Sequence, residues 1–327
     1  MQTFKALQVQ QTGDTFELHT VVRNVDELPA GEVLIRVQYS SLNFKDAMSA
    51  HGNRAITRTF PHTPGIDAAG VVEASTASEF AQGDEVIVTG YDLGMQTSGG
   101  FGQYIRVPAA WVIKRPQGLS LREAMMLGTA GLTAALCIEK LERAGLEPSH
   151  GEVLVTGATG GVGSIAVALL AKLGYQVTAV TGKADQHGFL KSIGAKEVLE
   201  RSALAASAKP VLSERWAAVV DTVGGEPLFS AIKALKRGAS AVCCGLTAGA
   251  EFNASVLPFI LRGVNLLGVD SVEIPLVEKA SMWDKLSVQW KLDLSALTHE
   301  VSLAELPQAI ARIYAGNMVG RTLVALN

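Results

Sequence analysis

The first third of the chain carries the alternation of apolar and polar residues that is typical of half-buried β-strands. This alternation predicts strands at 4–9, 15–22, 32–39, 71–73, 84–88 and 104–107. Gly-Asp, Gly-Gly and Pro-Gly steps separate the strands and are typical of turns. We therefore expect an antiparallel, partly barrel-like domain over residues 1–120. Its loops at 43–48 and 62–67 are the places where a site could be built.

From Leu121 onward the apolar residues recur with helical spacing, which predicts helices at 121–127 and 129–144. Strands and helices then alternate at 217–221, 226–236, 240–246, 258–262 and 265–270. This alternation indicates a parallel sheet with helices on both faces, in a domain of residues 121–270. A helix at 303–315 and a strand at 321–326 return to the first pattern. We expect residues 271–327 to complete the first domain, into which the second is inserted.

Residues 152–183 combine a strand, a glycine-rich turn, a helix and a second strand. The turn contains four glycines: Gly157, Gly160, Gly161 and Gly163. Glycines let the backbone turn sharply and approach a pyrophosphate, whose charge is stabilised by the unpaired N–H groups and the dipole at the start of the helix. We predict a dinucleotide-binding unit. A glycine-rich loop in an unrelated α/β fold is the alternative.

The residues after the second strand of this unit distinguish NADPH from NADH. A unit that binds NAD usually has Asp or Glu there, and its carboxylate bonds the ribose 2′-hydroxyl. This chain has Thr181, Gly182 and Lys183 instead, and Arg201 follows the next strand. A hydroxyl and two cations suit a 2′-phosphate, so we predict NADPH as the cofactor. Asp185 is an opposing signal, and a solvated turn lysine is the alternative interpretation of Lys183.

The amino-acid composition and net charge limit the classes of binding partner that are expected. The chain has 327 residues, of which 48% are hydrophobic and 18% charged, and its formal net charge is −3. These values predict a soluble globular protein of about two domains, and they argue against nucleic acid or an acidic membrane surface as a partner. No apolar stretch approaches the roughly 20 residues of a membrane span, the longest being 165–171. No signal peptide is apparent.

The three cysteines indicate the redox state of the compartment and whether the chain can bind a metal. Cys137, Cys243 and Cys244 suit a reducing cytoplasm. Cys243 and Cys244 adjoin in an apolar run, which predicts burial on opposite faces of a strand. No closely spaced cysteine pair occurs in the first domain, and His62 and Asp67 alone do not make a zinc site. We therefore expect no metal.

Six segments together carry a family resemblance: SSLNFKDAM (40–48), FPHTPGIDAAGVV (60–72), GDEVIVTG (83–90), GTAGLTA (128–134), VTGATGGVGS (155–164) and DTVGG (221–225). The chain resembles the medium-chain dehydrogenase/reductase superfamily, and within it the zinc-independent quinone oxidoreductase-like enzymes, over essentially its whole length. The segments at 258–272 and 320–327 resemble its acrylyl-CoA reductase branch more specifically. The resemblance implies a GroES-like catalytic domain, a Rossmann doubly wound cofactor domain, NADPH, a homodimer and a bacterial cytoplasmic location.

The resemblance also implies a set of cofactor contacts. They are Phe44, Thr159, Gly160, Gly161, Val162, Thr181, Gly182, Lys183, Arg201, Leu246, Ile260, Ser271 and Asn327. Phe44 departs from the commoner NYKD pattern, and related enoyl reductases have been argued to use a tyrosine hydroxyl as proton donor. Phe44 has no hydroxyl, so it can only pack against the nicotinamide or line the pocket. A core phenylalanine is the alternative.

A member without zinc has no metal with which to polarise an alcohol, so we expect hydride transfer to an activated double bond. In acrylyl-CoA the thioester carbonyl withdraws electrons and the nicotinamide can deliver hydride to the β-carbon. Negative charge then develops on the thioester oxygen. The protein must supply hydrogen-bond donors to that oxygen and a proton to the α-carbon.

Five polar side chains are the candidates for this chemistry: Asn43, Lys45, Asp46, Asp67 and Tyr91. Asn43 could donate to the oxygen, and Lys45 could donate or pair with Asp46. Tyr91 could give the proton, as could a bound water. Asp46 and Asp67 have an alternative interpretation as caps or braces of loops.

Arg54 and Arg58 lie in the loop that follows, where they could meet the phosphates of CoA. Solvated surface arginines are the alternative.

Three functions therefore stay open. The first is NADPH-dependent reduction of acrylyl-CoA to propionyl-CoA. The second is reduction of a quinone, a flat acceptor that needs no anion-binding mouth. The third is a non-catalytic NADPH-binding redox sensor or structural protein, which the missing hydroxyl at Phe44 keeps open because fold alone does not establish function.

Overall fold

The computed structural model describes residues 2–326, so Met1 and Asn327 lie outside the described residues. Contacts divide the chain into two compact units. The terminal unit contains Met1–Thr129 and Ser271–Asn327, and the central unit contains Ala130–Asp270.

Strands in the described residues are numbered along the chain. They are β1 (Thr3–Thr12), β2 (Thr15–Asn24), β3 (Val33–Leu42), β4 (Asp67–Ser75), β5 (Glu85–Thr89), β6 (Tyr104–Val107), β7 (Val112–Lys114), β8 (Glu152–Val155), β9 (Gln176–Thr181), β10 (Glu197–Glu200), β11 (Trp216–Asp221), β12 (Leu235–Cys243), β13 (Asn265–Gly268), β14 (Thr298–Ser302) and β15 (Arg321–Ala325). The α-helices are α1 (Phe44–Ala50), α2 (Leu121–Arg143), α3 (Gly161–Lys172), α4 (His187–Ser192), α5 (Gly225–Ile232), α6 (Leu257–Arg262), α7 (Leu276–Ser287) and α8 (Leu306–Tyr314).

The terminal unit is built on a sheet in the order β14-β15-β3-β4-β5-β7, with β6 also paired to β3. Neighbouring strands are antiparallel except β14 and β15, which are parallel. A separate antiparallel pair is formed by β1 and β2. The predicted antiparallel sheet is confirmed. The alternation of apolar and polar residues along β3 places its apolar side chains in the core: Val33, Ile35 and Val37, which lie on one face, are buried.

Several predictions for the terminal unit are wrong in detail. The predicted loop at 43–48 is not a loop, since Phe44–Ala50 forms α1. Asp67, predicted to lie in a loop, is the first residue of β4. The pattern also fails to predict β7, β14 and α7, because these elements are short or carry polar residues at buried positions.

The central unit is a parallel six-stranded sheet in the order β10-β9-β8-β11-β12-β13. The chain moves outward in one direction from β8 to β10 and then returns to start again at β11 beside β8. This order is that of a doubly wound dinucleotide-binding sheet, whose switch point lies between β8 and β11. The predicted parallel sheet is confirmed.

Helix α2 is sharply kinked at Gly128, whose φ of 53° and ψ of −156° are not helical. The prediction of two helices that separate at this residue is confirmed. Among the described residues, α2 alone is long and apolar enough to cross a membrane by length and composition, although 78% of its most apolar window is buried in the protein. A core helix passes the same test, so this is weak support for a membrane segment. It corrects the prediction that 165–171 is the longest apolar stretch.

The predicted burial of Cys243 and Cys244 is wrong. Both are half-buried, whereas Cys137 in α2 is buried. Cys243 is the last residue of β12 and Cys244 follows it, so both lie at the carboxyl end of the strand, where side chains leave the packed core.

Candidate functional site

The glycine turn joins β8 to α3 in the central unit. Gly157 has a φ of 57°, in the left-handed region that favours glycine. A side chain on Gly163 would collide with the carbonyl oxygen of Gly157, so this glycine lets α3 pack closely on the turn. Gly160 precedes the helix without a side-chain cap. The first turn of α3 therefore offers backbone N–H groups to a phosphate.

Asp221 stabilises the backbone at the switch point of the sheet, where the glycine turn lies. One carboxylate oxygen accepts a hydrogen bond from the Thr156 hydroxyl at 2.7 Å, and the other accepts one from the Gly224 N–H at 2.7 Å. Burial raises the pKa of Asp221, and the hydrogen bond from Thr156 opposes this shift. Asp221 thereby ties the end of β11 to the residue that follows β8, which holds the glycine turn in position.

The residues predicted to bind the 2′-phosphate come together at the end of β9. The Thr181 hydroxyl accepts a hydrogen bond from the Lys183 N–H at 3.0 Å and lies 3.4 Å from the Thr159 hydroxyl. The guanidinium of Arg201 covers Gly182, because a Cβ there would be 2.6 Å from Arg201 Nη2. Partial burial lowers the pKa of Lys183, and Asp185 opposes this shift. Two cations and two hydroxyls thus surround one short loop.

The remaining predicted cofactor contacts are more scattered. Gly161 and Val162 begin α3. Leu246 follows β12 beside Gly224, and Ile260 lies on α6; both side chains are exposed. Ser271 is buried in the terminal unit, and Asn327 lies outside the described residues.

In the terminal unit, Asp67 is the centre of a buried hydrogen-bond network. Its Oδ2 accepts from the Ser41 hydroxyl at 2.5 Å, from Asn43 Nδ2 at 2.7 Å and from the Thr129 N–H at 2.9 Å. Its Oδ1 accepts from the Thr129 hydroxyl at 2.5 Å. Both carboxylate oxygens of Asp67 are therefore engaged, Oδ2 by three donors and Oδ1 by one. Asp67 therefore braces its neighbours, as one of its two interpretations predicts.

Asp46 caps the short helix α1. Its two carboxylate oxygens accept from the backbone N–H of Asn43 at 2.8 Å and of Ile66 at 2.9 Å. The first bond is the reciprocal half of a capping box. Burial raises the pKa of Asp46 to about 7, and the negative charge of Asp67 adds to this shift. Of the two roles considered for Lys45, pairing with Asp46 is not among the described contacts, because both oxygens of Asp46 accept from backbone N–H groups. Lys45 itself is half-buried.

Arg321 places a positive charge near the carboxylates of Asp46 and Asp67. Its guanidinium is buried and donates to the Met126 carbonyl oxygen at 3.1 Å, the Leu42 carbonyl oxygen at 3.3 Å and Asn43 Oδ1 at 3.4 Å. Burial lowers the pKa of Arg321, and the carboxylates of Asp67 and Asp46 oppose this shift. One guanidinium beside two carboxylates favours a proton on one of them, in agreement with the raised pKa of Asp46.

Tyr91 occupies a separate part of the terminal unit. Its φ of 51° is unusual for a residue with a side chain. The ammonium of Lys279 lies 3.4 Å from the centroid of the Tyr91 ring and donates to the carbonyl oxygens of Thr89 and Val272 at 2.8 and 2.7 Å. The Tyr91 hydroxyl donates to the Ile274 carbonyl oxygen at 3.2 Å. Burial raises the pKa of this phenol, and Glu273 adds to the shift.

Two family descriptions match this chain. Residues 29–117 match the Alcohol dehydrogenase GroES-like domain, and residues 161–287 match the Zinc-binding dehydrogenase domain. A protein of Bacillus subtilis named as a quinone oxidoreductase, YhfP, is 45% identical over 326 residues, which cover 99% of both chains. The chain belongs to the medium-chain dehydrogenase/reductase superfamily.

Other members of this superfamily are similar over the whole chain. The acrylyl-CoA reductase AcuI of Ruegeria pomeroyi is 42% identical over 328 residues and 99% of both chains. The yhdH oxidoreductase of Salmonella enterica, solved in complex with NADP, has a TM-score of 0.97 and 43% identity over 99% of this chain and 100% of its own. The yhfP structure, solved with NAD bound, has a TM-score of 0.97 and 44% identity over 100% of both chains.

Zinc, which one of the matched family descriptions implies, does not fit the residues of this member. In the part of the chain that the structure describes, no group of three or more His, Cys, Asp or Glu side chains could hold a metal ion. The carboxylate of Asp67 is occupied by hydrogen bonds, and His62 Nε2 lies 2.9 Å from the Gly94 carbonyl oxygen. All three cysteines belong to the central unit.

Sequence reasoning misses several residues that build the site. Ser41, Thr129 and Arg321 complete the Asp67 network, and Lys279 holds Tyr91. Arg321 lies in segment 320–327, which carries part of the family resemblance. The resemblance indicates that Arg321 is important, but it does not indicate which groups Arg321 bonds to. Lys279 gives no such signal, because its buried environment comes from chain segments far away in sequence.

Proposed function

We propose that this chain is an NADPH-dependent reductase of the carbon–carbon double bond in acrylyl-CoA, giving propionyl-CoA. The observation that carries the proposal is the 42% identity to acrylyl-CoA reductase AcuI over 99% of both chains. The intact network around Asp67 and the loop after β9 are consistent with a working enzyme of this kind.

The cofactor is assigned to NADPH because Lys183 and Arg201 offer two cations at the end of β9. The Salmonella neighbour, solved with NADP, supports this choice, whereas the yhfP structure contains NAD. The uncapped first turn of α3 would receive the pyrophosphate. When bound, NADPH supplies the hydride that reduces the β-carbon. Phe44 would contribute an aromatic face to the nicotinamide.

The polar residues of the terminal unit have two different roles. Some hold the buried network in place, and others are candidate donors to the substrate. Asn43 Nδ2 already donates to Asp67 Oδ2 at 2.7 Å and to the Ser41 carbonyl oxygen at 3.3 Å, so Asn43 keeps the network in place. Lys45 and Tyr91 are the candidates to stabilise the thioester oxygen and to protonate the α-carbon. Burial raises the pKa of the Tyr91 phenol, so Tyr91 stays protonated at neutral pH but is a weaker acid than an exposed tyrosine.

A product analysis tests this function. Protein with acrylyl-CoA and NADPH is expected to form propionyl-CoA and NADP⁺ in equal amounts, with one NADPH consumed per double bond. NADPH oxidation without propionyl-CoA would contradict the proposal.

Reduction of a quinone is the second candidate function, favoured by the 45% identity to the relative named as a quinone oxidoreductase. Tight NADPH binding without turnover of any acceptor would instead favour a redox sensor.

We also infer a cytoplasmic homodimer from the family resemblance. The three free cysteines suit a reducing compartment. The exposed side chains of Val256, Ile260 and Leu261 lie on or next to α6, and β13 is an edge strand of the central sheet. Exposed apolar residues beside an open strand edge are typical of an interface.

A further inference from the structure

Lys279 is a fully buried lysine in helix α7. Its ammonium donates to the Thr89 carbonyl oxygen at 2.8 Å and to the Val272 carbonyl oxygen at 2.7 Å, and it lies 3.4 Å from the centroid of the Tyr91 ring. Lysine is seldom fully buried, because burial removes the water that stabilises its charge. Two carbonyl oxygens and one aromatic face replace that water around Lys279.

The segment at 272–274 connects Lys279 to Tyr91 a second time. The Val272 carbonyl oxygen, which accepts from Lys279, also accepts from the Tyr91 N–H at 3.2 Å. The Tyr91 hydroxyl donates to the Ile274 carbonyl oxygen at 3.2 Å. This segment therefore holds both the backbone and the side chain of Tyr91, and Lys279 bonds to the first residue of the segment.

The backbone that carries the Tyr91 ring is unusual as well. Gly90 and Tyr91 have φ values of 70° and 51°, both in the left-handed region. A Cβ on Gly90 would lie 3.0 Å from the Cα atom of Val272 and 3.3 Å from the Lys279 ammonium, so glycine lets these groups approach. A tyrosine keeps such a conformation only where its surroundings fix it, and residues of this kind cluster at active sites.

The positive charge of Lys279 is placed to stabilise the phenolate form of Tyr91. When a phenol gives its proton to the α-carbon of an enolate, its O–H bond breaks, a C–H bond forms and a phenolate remains, which water reprotonates. Burial raises the pKa of Tyr91 and makes this step less favourable. A cation against the ring face attracts the negative charge of the phenolate and opposes the effect of burial.

We propose that Lys279 is a positioning residue for the reduction, which fixes the Tyr91 phenol in place and stabilises the phenolate that proton transfer leaves. This inference rests on the proposed function, in which Tyr91 is a candidate proton donor. Tyr91 is half-buried and so accessible to a substrate, whereas Lys279 is fully buried and acts through Tyr91. A hydroxyl rotates about its C–O bond, so the proton now donated to Ile274 can turn toward a substrate while the ring stays fixed.

A double-mutant cycle on the turnover of acrylyl-CoA tests the inference. Lys279→Met should lower kcat by at least about tenfold, and Tyr91→Phe, which keeps the ring and loses the hydroxyl, by about 100-fold. In the Tyr91→Phe background, Lys279→Met should lower kcat no further, because the group through which Lys279 acts is gone. Thermal unfolding should show a loss of stability from Lys279→Met in both backgrounds. Lys5→Met, at an exposed position of β1, is the matched control and should change neither kcat nor stability.

Equal losses of kcat in the two backgrounds would overturn the inference, because Lys279 would then only support the fold. An unchanged kcat in Tyr91→Phe would also overturn it, while leaving the proposed function intact. If Lys279→Met does not fold, Lys279→Gln, which retains an N–H donor but no charge, replaces it in the cycle.

Fluorine NMR of protein labelled with fluorotyrosine makes the test independent of the substrate. The Tyr91 resonance, identified by its absence in Tyr91→Phe, should titrate at a higher pH in Lys279→Met than in the wild type, because the phenolate loses a neighbouring cation. An unchanged titration would overturn the inference. A shifted titration in a protein that does not turn over acrylyl-CoA would reject the proposed function alone.

Discussion

Asp46 and Asp67 show how two buried carboxylates acquire different properties from their partners. Asp67 accepts four hydrogen bonds from three residues, three of them at Oδ2 and one at Oδ1. Asp46 accepts two bonds, both from backbone N–H groups. Burial and the neighbouring charge of Asp67 raise its pKa to about 7. At the residue scale, Asp46 is thus the group that responds to pH.

Asp46 should make the protein less stable as the pH rises from about 4 to about 7. Between the unfolded pKa of about 3.9 and the folded pKa of about 7, the native state binds more protons than the unfolded state, so the free energy of unfolding falls with increasing pH. The loss is on the order of 3 kcal/mol. Asp46→Asn cannot titrate and should show a flatter profile in urea unfolding at pH 5 and pH 8. Parallel profiles for the two proteins would contradict the raised pKa.

Lys183 should determine the preference between cofactors. Lys183→Glu replaces a cation near the predicted 2′-phosphate with an anion, so NADPH affinity should fall by about 10- to 100-fold while NADH affinity changes little. Fluorescence titration of both cofactors measures this. Lys191→Glu, on the exposed side of α4, is the matched control and should change neither affinity. An equal loss for NADH and NADPH would refute the assignment of the phosphate site.

At the scale of elements, the kink of α2 depends on Gly128 and on the network beneath it. The Thr129 N–H that follows the kink donates to Asp67, which therefore caps the second half of the helix. A side chain on Gly128 would collide with the Ser41 hydroxyl and lie 2.6 Å from Asp67 Oδ2. The kink and the buried network are thus a single structural feature.

Gly128→Ala should destabilise the protein by about 2–4 kcal/mol, because it combines an unfavourable backbone conformation with a collision in a buried polar network. Gly83→Ala separates the two effects: Gly83 also has a positive φ, of 94°, but a Cβ there would meet no atom within 4 Å. Thermal unfolding of the two variants should show the larger loss for Gly128→Ala. Equal losses would mean that the network tolerates the side chain.

Elements that obey a simple period could be predicted, and elements held by distant polar contacts could not. The β8–α3–β9 unit follows from apolar runs and glycines that lie within thirty residues. Helix α1 is short and polar, and the buried carboxylate of Asp46 that caps it looks like a loop residue in the sequence. Helix α7 has a fully buried lysine, Lys279, whose ammonium donates to the carbonyl oxygens of Thr89 and Val272, which are far from it in sequence or in another element.

The same limit applies to the candidate site. The loop of Thr181 and Lys183 is local to one strand end, so its chemistry could be predicted from sequence. The partners of Asp67 come from β3, α2 and its own strand, and they meet only in the folded terminal unit. No spacing of residues in the sequence predicts that these side chains lie together.

At the scale of the whole molecule, the proposed homodimer makes a prediction about α6. Leu261→Asp places a charge on an exposed apolar side chain of α6, beside the edge strand β13, so it should shift the protein from dimer to monomer in sedimentation equilibrium. Val22→Asp, at an exposed position of β2, should leave the mass unchanged. A wild-type monomer, or a dimer insensitive to Leu261→Asp, would place the interface elsewhere or exclude it.

We propose that this member of the superfamily reduces an activated double bond in a CoA thioester. The decisive measurement is NADPH oxidation in parallel with acrylyl-CoA, crotonyl-CoA and a small quinone. We predict the highest kcat/KM for acrylyl-CoA. A higher kcat/KM for the quinone would instead identify a quinone reductase.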